Sequence, residues 1–264
     1  MCGTTGSSIM TIYLLIAVGI NILMFLPAFI IKTDKFTDIS YALTFIVLTW
    51  TAWIVNPVSA QSTLIAAMLT AWALRLGIFL RVRIGKMEKD KRFDGIRGSF
   101  PKFLGFWIFQ GISVWIVMIP ALWFISKNSD EVCFAGVLIW AAGLLVETIA
   151  DTQKFRFHLK TENKGKFIRT GLWSTSRHPN YFGEILCWAG VYLYVLPALS
   201  GTEVLWTLAG PIYIVIILLF VSGIPTVEKR ADEKYGADPD YRDYKERTSM
   251  LIPWKKKAAK QAGT

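Results

Sequence analysis

"FLGFWIFQGISVWIVMIPALWFI", residues 103–125, runs for 23 residues without a charged side chain. An α-helix rises about 1.5 Å per residue and the hydrocarbon core of a bilayer is roughly 30 Å thick, so about 20 mostly apolar residues span it. Six further runs of this kind flank the first, near 9–31, 39–56, 61–80, 132–150, 181–199 and 204–224, each bounded by charge or by turn residues. The chain of 264 residues is 53% hydrophobic and 14% aromatic, too apolar for a soluble globular domain of its size. The expected fold is all-α, a polytopic membrane protein with about seven transmembrane helices forming a single membrane domain over 1–264.

Basic residues alternate with these runs. Segments 32–38, 81–102, 151–179 and the tail from 225 carry two, eight, seven and ten Lys or Arg, 27 of the 29 in the chain. Short loops rich in Lys and Arg stay on the cytoplasmic side. The pattern therefore predicts an outside N-terminus, an odd number of spans and a cytoplasmic C-terminus. In a bacterium this would be the inner membrane. The formal charge of +10 is accounted for by basic loops facing anionic membrane lipids, and no motif points to nucleic acid.

Cys2, Cys133 and Cys187 make no CxxC or ligand pattern, and His158 and His178 are too few for a histidine-based metal site, so no metal is expected. The opening "MCGTTGSS" lacks a basic stretch, which predicts a retained first span rather than a cleaved leader. No internal repeat is visible. The sequence leaves the oligomeric state open and is compatible with a monomer.

Polar residues inside the runs are the next signal, because an ionisable group in hydrocarbon is costly unless paired or facing water. Arg75, Gln110 and Glu147 are the clear cases; they either pair across the bundle or line a polar cavity. In "VETIADTQKFRFHLK" (146–160), Glu147, Asp151, Lys154 and His158 are spaced by four, three and four residues. They share one helical face that leads from bilayer depth to the surface.

In "TSRHPNYFGE" (175–184), Pro179 suits the first turn of a helix that continues into the sixth run. Its N-terminus, with unpaired N–H groups beside Arg177 and His178, reads as an anion site. Asn180 and Glu184, one turn apart, offer an amide and a carboxylate on one face. The competing reading is a helix start at headgroup level with Arg177 on a lipid phosphate.

"GLWSTSRHPNYFGEILCWAG" (171–190), preceded by "ETIADTQKFRFH" (147–158) and followed by "EKRADEKYGADPDYRDYKERTSMLIPW" (228–254), resembles the C-terminal region of the steroid 5α-reductase superfamily. These are integral membrane enzymes that also include the sterol C14-reductases, and the closest likeness is to the bacterial 5α-reductase-like branch. Order and spacing agree over about 147–254, more weakly from about 72.

The resemblance implies an NADPH site open to the cytoplasm. Asp151 would lie near the nicotinamide half, joined by Glu147, Lys154 and His158 of the same face. Asn180 and Glu184 would bind the cofactor from the sixth span with Arg177, His178 and Tyr181 beside them. Arg230, Tyr235, Tyr241 and Tyr244 would close over the adenosine or phosphate end, and Arg83, Arg92 and Arg97 would supply further phosphate contacts.

The implied reaction reduces a carbon–carbon double bond conjugated to a ketone in a hydrophobic lipid substrate, a steroid-like or isoprenoid enone. The Gln-Glu pair that grips the ketone in steroid 5α-reductases is absent. Its nearest counterpart is "FTDISYAL" (36–43), with Asp38 and Tyr41 as candidate catalytic residues, although Asp38 also reads as a helix N-cap. The same letters fit a second class, the S-adenosylmethionine-dependent membrane methyltransferases of the isoprenylcysteine carboxyl type. For these, Arg177, His178, Tyr181 and Glu228 would surround the cofactor. A lipid-binding or scaffold role without catalysis is the third reading.

Overall fold

The computed structural model describes residues 3–84, 93 and 95–254. It is 80% helical, and the described residues contain no strand. Seven helical segments are long and apolar enough to cross a membrane: Ser8–Ile30, Lys35–Val55, Ala60–Val82, Phe100–Lys127, Ala135–Leu159, Pro179–Ala198 and Thr202–Tyr235. The chain is an integral membrane protein.

Two compact units divide it. The first comprises residues 1–134 and 191–210. It contains α1 (Gly3–Ile30), α2 (Lys35–Val55), α3 (Ala60–Ile84) and α4 (Phe100–Lys127). At Gly111 of α4 an added Cβ would meet the Ala17 carbonyl oxygen of α1 at 2.9 Å, so the missing side chain is what lets these backbones approach. The approach carries Gln110 to α1 and α2. Its amide nitrogen donates to Asn21 Oδ1 (2.9 Å), Ser40 Oγ (2.8 Å) and the Thr37 carbonyl (3.1 Å). Asn21 in turn donates to Thr44 Oγ1 (3.1 Å) and the Ala17 carbonyl (2.8 Å). The polar demand of Gln110 is met inside its own unit, by amides and hydroxyls rather than by an ionic partner.

The second unit comprises residues 135–190 and 211–264. Its framework is α5 (Ala135–Leu159) packed antiparallel on α6 (Pro179–Val195, whose last residues belong to the first unit). Beyond them follow the short α7 (Thr202–Thr207) of the first unit, α8 (Ala209–Ile216), a π-helical turn over Ile217–Val221, α9 (Ile224–Tyr235) and α10 (Pro239–Arg247). The crossing of α5 and α6 is made on glycine. A Cβ at Gly183 would lie 2.6 Å from Glu147 N and 2.7 Å from the Gly143 carbonyl. At Gly190 it would lie 2.5 Å from Trp140 N and 2.7 Å from the Gly136 carbonyl. Gly136 and Gly143, like Gly183 and Gly190, are seven residues apart, two turns on one face, so small residues line the whole contact.

This contact makes Gly183 intolerant of any side chain. Gly183→Ala is expected to destabilise the protein by about 1–3 kcal/mol through overpacking, whereas Gly19→Ala, with nothing within 4 Å of its new methyl, is expected to be neutral. Thermal unfolding of both variants in the same detergent checks the difference.

Candidate functional site

The segment that joins α5 to α6 is pinned onto α5 before it reaches the site. Gly171 has φ +63°, a left-handed conformation that favours glycine, and a Cβ there would strike the Gln153 amide at 2.5 Å. Leu172 N donates to Gln153 Oε1 (2.9 Å), and the Trp173 indole donates to the Ala150 carbonyl (3.0 Å). Lys154 lies 4.6 Å over the Trp173 ring, a cation–π contact. Thus the Asp-x-Gln-Lys signature spends its Gln and Lys holding residues 171–173 in place.

From there the chain enters α6 at Pro179, as expected. Arg177 and His178, immediately before it, converge on Glu228 of α9. Arg177 Nε donates to Glu228 Oε1 at 3.1 Å, and His178 Nε2 lies 2.8 Å from the same oxygen. The other carboxylate oxygen of Glu228 is 3.2 Å from Lys245 Nζ, which also bonds both oxygens of Asp232 (2.6 and 2.8 Å). Arg177 Nη1 donates to the carbonyls of Lys245 (2.7 Å) and Thr248 (3.2 Å). Among the described residues Nη2 of Arg177 makes no hydrogen bond, so the donors of that one nitrogen remain unspent.

His178 is 3% exposed, and its ring stacks on Tyr181 one turn later, 5.5 Å between centroids and 5° between planes. Burial, the largest influence, holds the imidazole below its ordinary value while Glu228 pulls it the other way. At neutral pH it is therefore uncharged and donates Nε2–H to the carboxylate. Burial lowers the Lys245 ammonium, but Asp232 and Glu228 outweigh it and raise its pKa. Two carboxylates thus face two permanent cations, and the helix start is charge-balanced rather than strongly cationic.

The tail tyrosines are held by polar bonds and by Phe167. Tyr244 OH donates to the Trp173 carbonyl (2.7 Å), Tyr241 OH to Asp232 (3.1 Å) and Tyr235 OH to the Lys166 carbonyl (3.0 Å). All three rings lie within 6 Å of Phe167. Burial raises the Tyr241 and Tyr244 phenols well above their ordinary value, so both stay protonated donors. Arg230 is exposed and lines a pocket of 460 Å³ with Thr226, Lys229 and Glu233.

The stripe on α5 forms a graded series. Glu147 is 4% exposed and Asp151 9%, Lys154 is half-buried, and His158 is exposed against Phe157. Asn180 and Glu184 are half-buried on α6. Asp38, Tyr41 and Arg97 belong to the first unit. Asp38 sits in the first turn of α2, where Asp34 rather than Asp38 holds the N-cap position. Asp34 pairs with Arg97 at 3.4 Å, and Tyr41 lies edge-on to Phe45. Arg92 lies outside the described residues, as does the side chain of Arg83.

Glu228 was read from the sequence only for the methyltransferase class, and Asp232 and Lys245 were not read at all. The available signal was the i, i+4 spacing of Glu228 and Asp232, which places two carboxylates on one face of a helix just after the last apolar run.

The chain is 24% identical over 233 residues to an uncharacterized protein of Schizosaccharomyces pombe, covering 75% of this chain and 65% of the relative. It is 28% identical over 165 residues to methanethiol S-methyltransferase 1 of Bradyrhizobium diazoefficiens, covering 60% of this chain and 52% of that protein. The chain therefore spans less than two thirds of the length of both relatives. No solved structure matches it. The family model described as "Protein of unknown function (DUF1295)" matches residues 24–248, so the chain belongs to DUF1295, a membrane family related to the steroid 5α-reductase-like and isoprenylcysteine methyltransferase superfamily.

Proposed function

We propose that this chain is a membrane methyltransferase that uses S-adenosylmethionine, with its cofactor site at the start of α6 and the acceptor a hydrophobic nucleophile such as a thiol or a lipid-borne carboxylate. One observation carries the reading. Arg177, His178, Tyr181 and Glu228, the four residues that the methyltransferase reading sets around the cofactor, form one continuous contact set in the second unit. The similarity to a methanethiol S-methyltransferase supports the same class.

The donor set fits the cofactor. When bound, S-adenosylmethionine supplies a methyl group on a positively charged sulfonium centre. The Nη2 N–H groups of Arg177 offer a charge-assisted hydrogen bond to the cofactor's carboxylate. Glu228 fixes the direction of the guanidinium by holding Nε, and it holds the His178 ring in register with Tyr181, leaving the stacked pair as an aromatic wall. The Glu228 and Asp232 carboxylates offset the Arg177 and Lys245 cations, so the cluster does not repel a cationic ligand. Because His178 is neutral and buried, it orients the site without adding positive charge to it.

NADPH-dependent reduction of a lipid enone is the second reading, and a different observation favours it. Glu147 and Asp151 are buried on α5, and α6, which packs directly on that helix, carries Asn180 and Glu184. On this reading the cytoplasmic orientation and the reductase-type roles of Asp151, Asn180 and Glu184 stand as the resemblance implies them.

Calorimetric titration of the purified protein with S-adenosylmethionine, NADPH and NADH separates the two. Saturable binding of S-adenosylmethionine alone is the expected result, and binding of NADPH alone overturns it. Loss of a charge-assisted hydrogen bond is worth about 1.5–3 kcal/mol, so Arg177→Ala is expected to weaken S-adenosylmethionine binding roughly ten- to hundredfold. Arg177→Lys, which keeps the charge, is expected to recover only part of the loss. Glu184→Ala is expected to leave S-adenosylmethionine affinity within about twofold. If NADPH is the ligand, the same variant weakens its binding.

A further inference from the structure

The side of α5 turned away from α6 ends in a set of hydrogen-bond donors without acceptors. Leu138, Leu145 and Ile149 each lie two residues, about 200° round the helix, beyond a residue that meets α6: Gly136, Gly143 and Glu147. They are 72%, 62% and 46% exposed. With Ala142, Thr152 and Arg156 they form one stripe at spacings of four, three, four, three and four residues. At its C-terminal end the stripe opens into a cleft of 290 Å³ lined by Thr148, Ile149, Thr152, Gln153 and Arg156. Two of these polar groups are already occupied. The Thr148 hydroxyl donates to the Leu144 carbonyl (2.6 Å), and Gln153 Oε1 accepts from Leu172 N. Among the described residues, the Gln153 amide nitrogen, the Thr152 hydroxyl and the whole guanidinium of Arg156 have no acceptor, and no carboxylate lines the cleft.

Depth in the bilayer says what such a cleft meets. The span Ala135–Leu159 has 25 residues and is about 37 Å long, against roughly 30 Å of hydrocarbon. Its last turn, with the exposed Arg156, therefore reaches headgroup level, and Thr152 lies one turn deeper. The cleft is polar where phosphates lie and apolar below them. A guanidinium matches phosphate oxygens, and the hydroxyl and amide supply further donors to a group that only accepts. A second copy of the chain does not suit this face. In a membrane dimer with its two-fold axis along the bilayer normal, residues of one face meet their own counterparts at equal depth, so Arg156 would confront Arg156.

We propose that this end of α5 binds one glycerophospholipid, its phosphodiester held by Arg156, Thr152 and Gln153 and an acyl chain lying along Ile149 and Leu145. The cleft reads a phosphodiester rather than net negative charge. The proposal goes beyond the methyltransferase reading and does not depend on which cofactor the α6 site takes.

The test is native mass spectrometry of the full-length protein released from detergent, titrated with phosphatidylcholine, whose phosphodiester comes with no net charge. The expected result is a saturable one-to-one adduct, weakened about tenfold in Arg156→Gln and roughly threefold in Thr152→Val. Lys164→Gln, which removes an equal charge from the exposed loop after α5, is expected to stay within about twofold. Diacylglycerol with the same acyl chains is expected to give no adduct, and excess inorganic phosphate is expected not to displace the lipid. Unchanged binding in Arg156→Gln, or an equal loss in Lys164→Gln, overturns the proposal. So does a diacylglycerol adduct as strong as the phospholipid's, because the phosphate is then not read. Displacement by inorganic phosphate overturns it too, since the ligand is then the free anion.

Discussion

The carboxylate of Glu228 receives hydrogen bonds or ion pairs from Arg177, His178 and Lys245, three residues that come from two regions separated by more than sixty positions in the chain. Half-buried cations cost free energy unless a partner is placed where they lie. That demand explains why α9 and α10 fold back onto the start of α6 instead of trailing from the last apolar helix. Removing the carboxylate would leave two permanent cations and a buried imidazole facing one another, so the cost would fall on the arrangement of the whole C-terminal region.

The first unit meets the same demand with neutral chemistry. Gln110, Asn21, Ser40 and Thr44 satisfy one another where an ion pair would be hard to desolvate. Polar groups inside the bilayer are thus not evidence of a site by themselves. What separates the Arg177–Glu228 cluster from the Gln110 cluster is that one of its donors, Nη2, is still available to a ligand.

Much of this was legible in the sequence because it depends on length and periodicity. Seven apolar runs gave seven membrane-spanning helical segments, and Pro179 marked the start of α6 because proline suits the first turn of a helix. The four-three-four spacing of Glu147, Asp151, Lys154 and His158 anticipated a single face graded from buried to exposed. Other features depend on contacts between distant residues and left no local trace. Gln110 was expected to pair with Arg75 or Glu147 across the bundle or to line a polar cavity, and it bonds Asn21, Ser40 and Thr37. Asp38 read as a cap, but the helix begins earlier and Asp34 takes that place. The tail tyrosines read as a lid, and their hydroxyls bond Trp173, Asp232 and Lys166. The resemblance put the reductase first because it weighed Asn180, Glu184 and Asp151. Three-dimensional assembly gives more weight to Glu228, the residue through which a methyltransferase site would be organised.

Helices α5 and α6 touch backbone to backbone at successive glycines, and this limits how the second unit can move. A slide of one residue along the shared axis would bring Phe182 or Glu184 to the place of Gly183, where even a methyl group is too large. The pair is locked in register like a rack whose teeth have no clearance. Opening of the second unit for a ligand must then be made by α9, α10 and the tail. These sit beyond the π-helical turn and are attached to α6 by polar bonds that exchange with water, so ligand entry is tied to the parts of the unit that are cheapest to detach.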